Sequence, residues 1–226
     1  FWGYKTAGIF QSQQDINNWI AAGNGVLQSN VQPGDVKYVD VNHDGAINAN
    51  DKVDLGNGLP KYTFGFNFTL GYKGFDLSAN FTGAAGFQIA QSYRDPSGSQ
   101  GNYSHRILGR WTGEGTSNEI PRVTYGDVGN WLFSDLYLQD GDYIRLQNLT
   151  MGYDFKKLIS WKGLSKMRLY FQVQNLFTLT KYDGMDPEIG SFNGTDGNSS
   201  DSWVSGVDMG YYPHPRTFIV GLNLAF

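Results

Sequence analysis

Residues 63–82, TFGFNFTLGYKGFDLSANFT, give the clearest indication of the architecture of this chain. Apolar residues alternate with small or polar ones on both sides of Lys73 and Gly74, which is typical of two β-strands that each have one apolar face. Because only two residues separate the runs, the pattern predicts a tight hairpin. The expected pairs are Tyr72–Phe75, Leu70–Leu77, Phe68–Ala79 and Phe66–Phe81. This register places both apolar sets on one face of the sheet.

Three further strands are predicted downstream, at residues 143–153, 166–178 and 217–226. The last two alternate regularly. In the strand at 143–153, Ile144 and Leu146 stand at even positions and Leu149 and Met151 at odd positions. A regular strand would therefore direct apolar residues to both faces. A β-bulge near residue 147 or 148 would restore a single apolar face.

The connections alternate between short and long. The two-residue turn at 73–74 and the link at 154–165 are short, whereas residues 1–60, 84–142 and 180–216 form long segments. Outer-membrane barrels have this asymmetry, with short periplasmic turns, long extracellular loops and strands of about ten residues. We therefore interpret the chain as all-β, an antiparallel membrane β-barrel fragment with long extracellular loops, divided into an outer segment at 1–60 and barrel strands with outer loops at 61–226. Five strands cannot close such a barrel, so we expect further strands before Phe1.

Composition removes several classes of protein. The 226 residues include 30 Gly and 15% aromatic residues but only 17% charged residues, which indicates short strands and turns rather than disorder or coiled coil. There is no Cys, which excludes disulfides, thiol catalysis and Cys-ligated metal sites. The net charge is −4 and the cations are scattered, so we expect no nucleic-acid partner.

The sharpest local motif is DVNHDGAINAND at residues 40–51. Its oxygen-bearing positions have the spacing of an EF-hand-type Ca²⁺ loop, with Gly45 at the sharp turn and Asp51 in place of the usual Glu. The expected ligands are Asp40, Asn42, Asp44, the Ala46 carbonyl, Asn48 and Asp51. We expect weak, structural Ca²⁺ binding; the alternative is a solvated Asp/Asn/Gly turn without metal.

A short surface helix is predicted near the start of the chain. Ser12 is a suitable N-cap, Ile16, Trp19 and Ile20 have helical spacing, and Gly23 is a plausible stop.

The long loops carry the candidates for ligand binding. Exposed aromatic side chains can stack on sugar rings, or they can simply pack the loops together. The candidate substrate-binding residues are Trp111, Trp131, Tyr182 and Trp203. Catalysis has little support, since the three Glu residues are scattered in loops and the three His residues lack metal-ligand spacing. We therefore expect a protein that is not an enzyme.

Nearly the whole chain resembles the SusC/RagA branch of the TonB-dependent outer-membrane transporters. The resemblance rests on the order and spacing of several phrases, none decisive alone: GYKTAGIFQSQQDI at 3–16, PGDVKYVDVNHDGAINANDKVDLGNGLPKYTFGFN at 33–67, LGYKGFDLSANFTG at 70–83, RWTGEGTSNEIPR at 110–122, SDLYLQDGDYIRLQNLTMGY at 134–153, LYFQVQNLFTLTKYDGMDPEIG at 169–190 and YPHPRTFIVGLNLAF at 212–226.

The resemblance implies the last five or so strands of a barrel with about twenty-two strands, in the outer membrane of a Gram-negative, Bacteroidota-type cell. Members of the family import oligosaccharides or peptides. They work with a SusD-like surface lipoprotein and with the TonB complex, which would act through an N-terminal region that this sequence does not contain. Two alternatives stay open: a secreted, Ca²⁺-dependent carbohydrate-binding β-sandwich, and a glycan hydrolase with a calcium-type loop. A sandwich would bury the apolar strand faces that a barrel turns toward lipid.

Overall fold

The computed structural model describes residues 1–92, 105–124, 126, 129–159, 161–189 and 205–226. In this part of the chain we number one helix, α1 (Gln13–Ala21), and twelve strands: β1 (Trp2–Tyr4), β2 (Thr6–Ile9), β3 (Val36–Tyr38), β4 (Lys52–Asp54), β5 (Tyr62–Tyr72), β6 (Phe75–Ala85), β7 (Gln88–Gln91), β8 (Leu138–Asp140), β9 (Tyr143–Asp154), β10 (Lys166–Thr180), β11 (Val207–Asp208) and β12 (Thr217–Ala225). No helix in these ranges is long and apolar enough to cross a membrane.

The five long strands form one antiparallel sheet in the order β12-β10-β9-β6-β5. The predicted β5–β6 hairpin is confirmed, including the register of all four expected pairs. Lys73 and Gly74 have φ values of 46° and 96°, the left-handed conformation that a two-residue hairpin of this kind requires at both positions.

The predicted bulge is also confirmed. Opposite β6, Asn80 pairs with Asn148 but Phe81 pairs with Leu146, so Gln147 is the extra residue of β9. On the other side, the register of β9 with β10 shifts between Gln174 and Phe177. The bulge moves Leu146 onto the apolar face that Leu149 and Met151 also occupy.

The two faces of this sheet differ in chemistry. Phe66 is 58% exposed, Val220 72% and Leu222 51%, although all three lie on the apolar face. A soluble β-sandwich would cover such residues with a second sheet. The exposed apolar face therefore disfavours the sandwich alternative and fits a sheet that faces lipid. A small core lies at one end of the sheet, where Phe87, Ile89 and Tyr182 are buried.

The chain divides into two compact units. The sheet unit comprises Leu59–Ile89, Gln139–Gly206 and Gly210–Phe226, and the loop unit comprises Phe1–Gly58, Ala90–Leu138 and Val207–Met209.

In the loop unit, β1 pairs with β4 and β2 with β3, both antiparallel, around a core of Tyr4, Val36 and Tyr38. The predicted helix is confirmed as α1, and the Ser12 hydroxyl accepts a hydrogen bond from the Asp15 N–H. One pairing departs from the antiparallel expectation, because β11 pairs parallel with β7 at Val207 and Ala90. More than one hundred residues separate these strands, and a long connection is what a parallel pair requires.

Candidate binding wall and loop sites

The polar face of the main sheet carries a charged bridge near its short-turn end. Arg168 of β10 donates from Nε to Asp76 Oδ1 at 2.7 Å and from Nη2 to Asp76 Oδ2 at 2.5 Å. The bridge spans the intervening strand β9, where a Cβ at Gly152 would lie 2.5 Å from Arg168 Nε. Only glycine leaves room for a side chain that lies flat across its neighbour.

Other polar side chains continue this face along the strands. Gln172 Nε2 donates to Asn148 Oδ1 at 3.4 Å, and the register places Asn80 beside Asn148. Amides and hydroxyls in such a row present donors and acceptors to water or to a polar solute. The face therefore has the chemistry of a wetted wall.

The strand ends opposite the short turns carry a buried arginine with two carboxylate partners, which the sequence did not predict. The Arg145 side chain of β9 is 3% exposed. Its Nε donates to Thr178 Oγ1 at 3.0 Å and its Nη1 to Glu188 Oε2 at 2.9 Å, while Nη2 donates to Asp186 Oδ1. One feature of the sequence could have indicated its position. The apolar residues of β9 change from even to odd positions at the bulge, and the same bulge places Arg145 on the polar face.

The calcium-type loop is closed by its own hydrogen bonds. Asp40 and Asp51 are buried, and both accept hydrogen bonds from the loop backbone. Asp40 accepts from Asp44 N and Gly45 N, and Asp51 accepts from Val41 N, Asn42 N and Asn48 N. Their oxygens face the loop interior in the manner of a preformed turn.

The remaining expected ligands hydrogen-bond to one another. Asp44 Oδ2 accepts from Asn42 Nδ2 at 2.9 Å, and Asp44 Oδ1 accepts from Ala46 N at 2.9 Å. These bonds hold the pKa of the Asp44 carboxyl below its usual value. Asn48 caps the following turn by accepting from Asn50 N. Hard oxygen donors of this kind suit Ca²⁺ chemically, but a bound ion would have to displace part of this network.

Within the described ranges, no three His, Asp or Glu side chains are grouped closely enough to hold a metal ion. A Ca²⁺ site at residues 40–51 would thus depend on amide and backbone oxygens as much as on carboxylates.

The four candidate aromatic residues are placed differently. Trp111 is half-buried in the loop unit, where its Nε1 donates to Gln11 Oε1 at 3.2 Å and its ring lies against Gly34. Trp131, also half-buried in that unit, accepts a bond on its carbonyl from the Tyr137 hydroxyl. Tyr182 is buried in the core of the sheet unit. Trp203 lies outside the described residues.

Charged pairs stabilise the loop unit from within. Asp15, near the start of α1, accepts from Lys37 Nζ at 2.6–2.8 Å and from Gln11 N at 2.9 Å. Desolvation opposes ionisation of Asp15, but the hydrogen bonds and the charge of Lys37 outweigh it, so the pKa of Asp15 is lowered. Asp35 is fully buried and binds the Arg122 guanidinium at 2.7 Å.

Comparison with known proteins identifies relatives for the whole chain. It is 33% identical over 228 residues to TonB-dependent receptor P3 of Formosa agariphila, and 32% identical over 230 residues to TonB-dependent receptor P26 of the same organism. It is 28% identical over 205 residues to TonB-dependent receptor SusC of Bacteroides thetaiotaomicron. These alignments cover 89–100% of this chain but only 18–22% of the relatives. No family model matches.

Solved structures agree on the fold. The chain aligns over its full length with a structure of the RagAB peptide transporter at a TM-score of 0.67 and 20% identity, covering 23% of that chain. It aligns with the RagAB peptide importer in the 'open-open' state at a TM-score of 0.64 and 20% identity.

The chain therefore spans about a fifth of the length of the curated relatives that it matches. One conclusion follows from three observations: the antiparallel sheet has one apolar and one polar face, the chain matches TonB-dependent receptors in sequence, and it matches the RagAB structures in fold. The chain is homologous to one portion of the TonB-dependent receptors, SusC among them, and has the fold of the matching portion of the RagAB structures.

Proposed function

We propose that this chain forms wall strands and outer loops of a TonB-dependent importer in the outer membrane. One observation carries the proposal: the main sheet has an apolar face whose middle residues stay exposed, and an opposite face lined by amides, hydroxyls and the Asp76–Arg168 bridge. A lipid-facing surface and a wetted lumen require these two chemistries on the two faces of one sheet.

The proposed cargo is an oligosaccharide or a peptide. SusC is among the relatives, and the structural neighbour RagAB is described as a peptide transporter. The polar face offers amide and hydroxyl groups rather than a strong charge of one sign, which suits either neutral cargo. The predicted aromatic contacts, Trp111, Trp131, Tyr182 and Trp203, stay a hypothesis for cargo binding. The half-buried position of Trp111 and the burial of Tyr182 favour packing at those two positions.

The proposed partners are a SusD-like lipoprotein at the outer end and the TonB complex, which would act through a part of the receptor that this sequence does not contain. We also propose that the chain does no chemistry of its own. Its role would be to form a wall and to position loops, and transport would belong to the receptor as a whole.

Uptake by the source cell tests the proposal. The gene that encodes this chain is deleted, and the entry of fluorescently labelled oligosaccharides and labelled peptides is measured with and without collapse of the proton-motive force. We expect deletion to abolish energy-dependent uptake of one of the two cargo classes, and the restored gene to return it. Unchanged uptake of both classes would contradict the proposal.

A tagged receptor tests the partner separately. Affinity purification of the receptor in mild detergent should also recover a surface lipoprotein, in an amount about equal to that of the receptor. Recovery of the receptor alone, under conditions that preserve its fold, would contradict the proposal of a SusD-like partner.

A further inference from the structure

The Arg145 centre links three separate pieces of the sheet unit. Arg145 lies in β9, Thr178 lies in β10, and Asp186 and Glu188 lie in the segment at 181–189 that follows β10. The second oxygen of Asp186 accepts the backbone N–H of His214 at 3.2 Å, in the segment at 210–216 that precedes β12. We call these five residues, Arg145, Thr178, Asp186, Glu188 and His214, the latch.

The latch depends on the bulge in β9. If β9 were regular and lacked the bulge at Gln147, Arg145, four residues before Leu149, would lie with Leu149 on the apolar face. With it, Arg145 pairs with Thr178 on the polar side. The matching irregularity in β10 contributes as well. Asn175 has a φ of 52°, a conformation that Asn tolerates better than most residues, and its Nδ2 donates to the Pro215 carbonyl at 3.1 Å.

Because its charges are buried, the latch is stable only while both charged partners keep their contacts. The Arg145 and Asp186 side chains are only 3% and 7% exposed, so each charge has lost most of its water. A buried charge that loses its partner is strongly unfavourable, whereas an intact, fully hydrogen-bonded pair is tolerated. Asp186 Oδ1 also accepts Glu188 N at 2.9 Å, which fixes the 181–189 segment to the same carboxylate.

We propose that the latch couples the two segments, so that 181–189 and 210–216 detach from the sheet together and not independently. The coupling passes through one carboxylate, because Asp186 binds the Arg145 guanidinium with one oxygen and the backbone of the other segment with its second. Glu188 and His214 add a weaker contact between the same segments, with Glu188 Oε2 3.8 Å from His214 Nε2. Arg145 is thus a positioning residue for the loop bases at this end of the strands.

Limited trypsin digestion of the complete receptor tests this coupling. Two exposed cleavage sites flank the latch, Lys181 at the start of one segment and Arg216 at the end of the other. In Asp186→Asn we expect cleavage after both residues to accelerate at least about tenfold, because local opening exposes both bonds. The effect at Arg216 is the informative one, since the substitution lies 30 residues away and cannot alter the sequence that trypsin reads there.

The matched control is Asp183→Asn, the same chemical change at an exposed position of the same segment. It should leave the cleavage rate at Arg216 within about twofold of the unmodified receptor. Faster cleavage at Lys181 with an unchanged rate at Arg216 in Asp186→Asn would overturn the coupling. Unchanged rates at both sites would overturn the latch itself.

A milder variant keeps the test decisive if Asp186→Asn does not fold. Arg145→Lys retains the charge but loses the fork that reaches three acceptors, so both cleavage rates should rise by a smaller and equal factor. Unequal factors at the two sites would contradict the proposal. In the double variant, the two substitutions should be strongly non-additive, as expected for groups that act through one contact.

Discussion

Substitution of Leu222 by arginine probes the environment of the apolar face. Leu222 is 51% exposed near the middle of β12 and lies four residues from Phe226. At about 3.3 Å per residue and a strand tilt of about 45°, this places it about 9 Å deep from the terminal residue, close to the middle of an apolar band about 25 Å tall. An arginine at that depth costs about 2–4 kcal/mol, or a factor of roughly 30 to 1,000 in the folding equilibrium.

The measurement is the urea-induced unfolding of the receptor in lipid vesicles, followed by its heat-modifiable electrophoretic mobility. The matched control is Asn67→Arg, the same new side chain in the middle of β5 on the polar face, opposite the uncharged Asn80. We expect Leu222→Arg to lower the free energy of unfolding by at least about 2 kcal/mol and Asn67→Arg to change it by less than about 0.5 kcal/mol. Equal, small effects would mean that water covers both faces, and would refute the lipid-facing assignment.

Three further outcomes follow from the local contacts. Gly152→Ala should weaken the arginine bridge across β9 and cost about 1 kcal/mol, whereas Gly71→Ala, where nothing lies within 4 Å of an added Cβ, should not; unfolding in urea compares the two, and equal costs would contradict the steric argument. The lowered pKa of Asp15 means that its contact with Lys37 stabilises the loop unit above the carboxyl's unfolded pKa and is lost as pH falls below about 4, so the protection of α1 amides against hydrogen exchange, taken relative to the intrinsic exchange rate at each pH, should fall there; Asp15→Asn should remove that fall in protection, and a fall that persists would assign it to another group. If residues 40–51 bind Ca²⁺, millimolar Ca²⁺ should slow proteolysis of that loop while equal Mg²⁺ does not, and no protection at about 10 mM would favour the metal-free turn.

Local patterns predicted the main sheet well because its strongest determinants are close in sequence. The hairpin around Lys73 and Gly74 follows from a two-residue turn with period-2 flanks, and the bulge at Gln147 follows from a change in parity over a few residues. Both predictions depend on neighbours along one strand or across one turn. Helix α1 was predictable for the same reason, since Ser12 and Gly23 mark its ends.

The latch was not predictable because its partners are distant along the chain. Arg145 binds Asp186 and Glu188, which follow it in the chain by 41 and 43 positions. No spacing rule connects an arginine in a strand to a carboxylate in a later loop. The parallel pairing of β7 with β11 has the same origin, as does the burial of Tyr182 against Phe87 and Ile89. Side-chain chemistry in the loops showed which groups could interact, while tertiary packing decided which of them do.

Fluorescence quenching at two adjacent residues shows whether lipid and water lie on opposite faces of the main sheet. The chain contains no Cys, so single cysteines at Phe66 and Asn67, on opposite faces of β5, can each carry an environment-sensitive dye in a receptor with any other cysteine replaced. If the sheet separates lipid from an aqueous lumen, nitroxide-labelled lipid should quench the dye at position 66 and aqueous iodide the dye at 67. Quenching of both dyes by iodide, with no effect of the lipid quencher, would contradict the account.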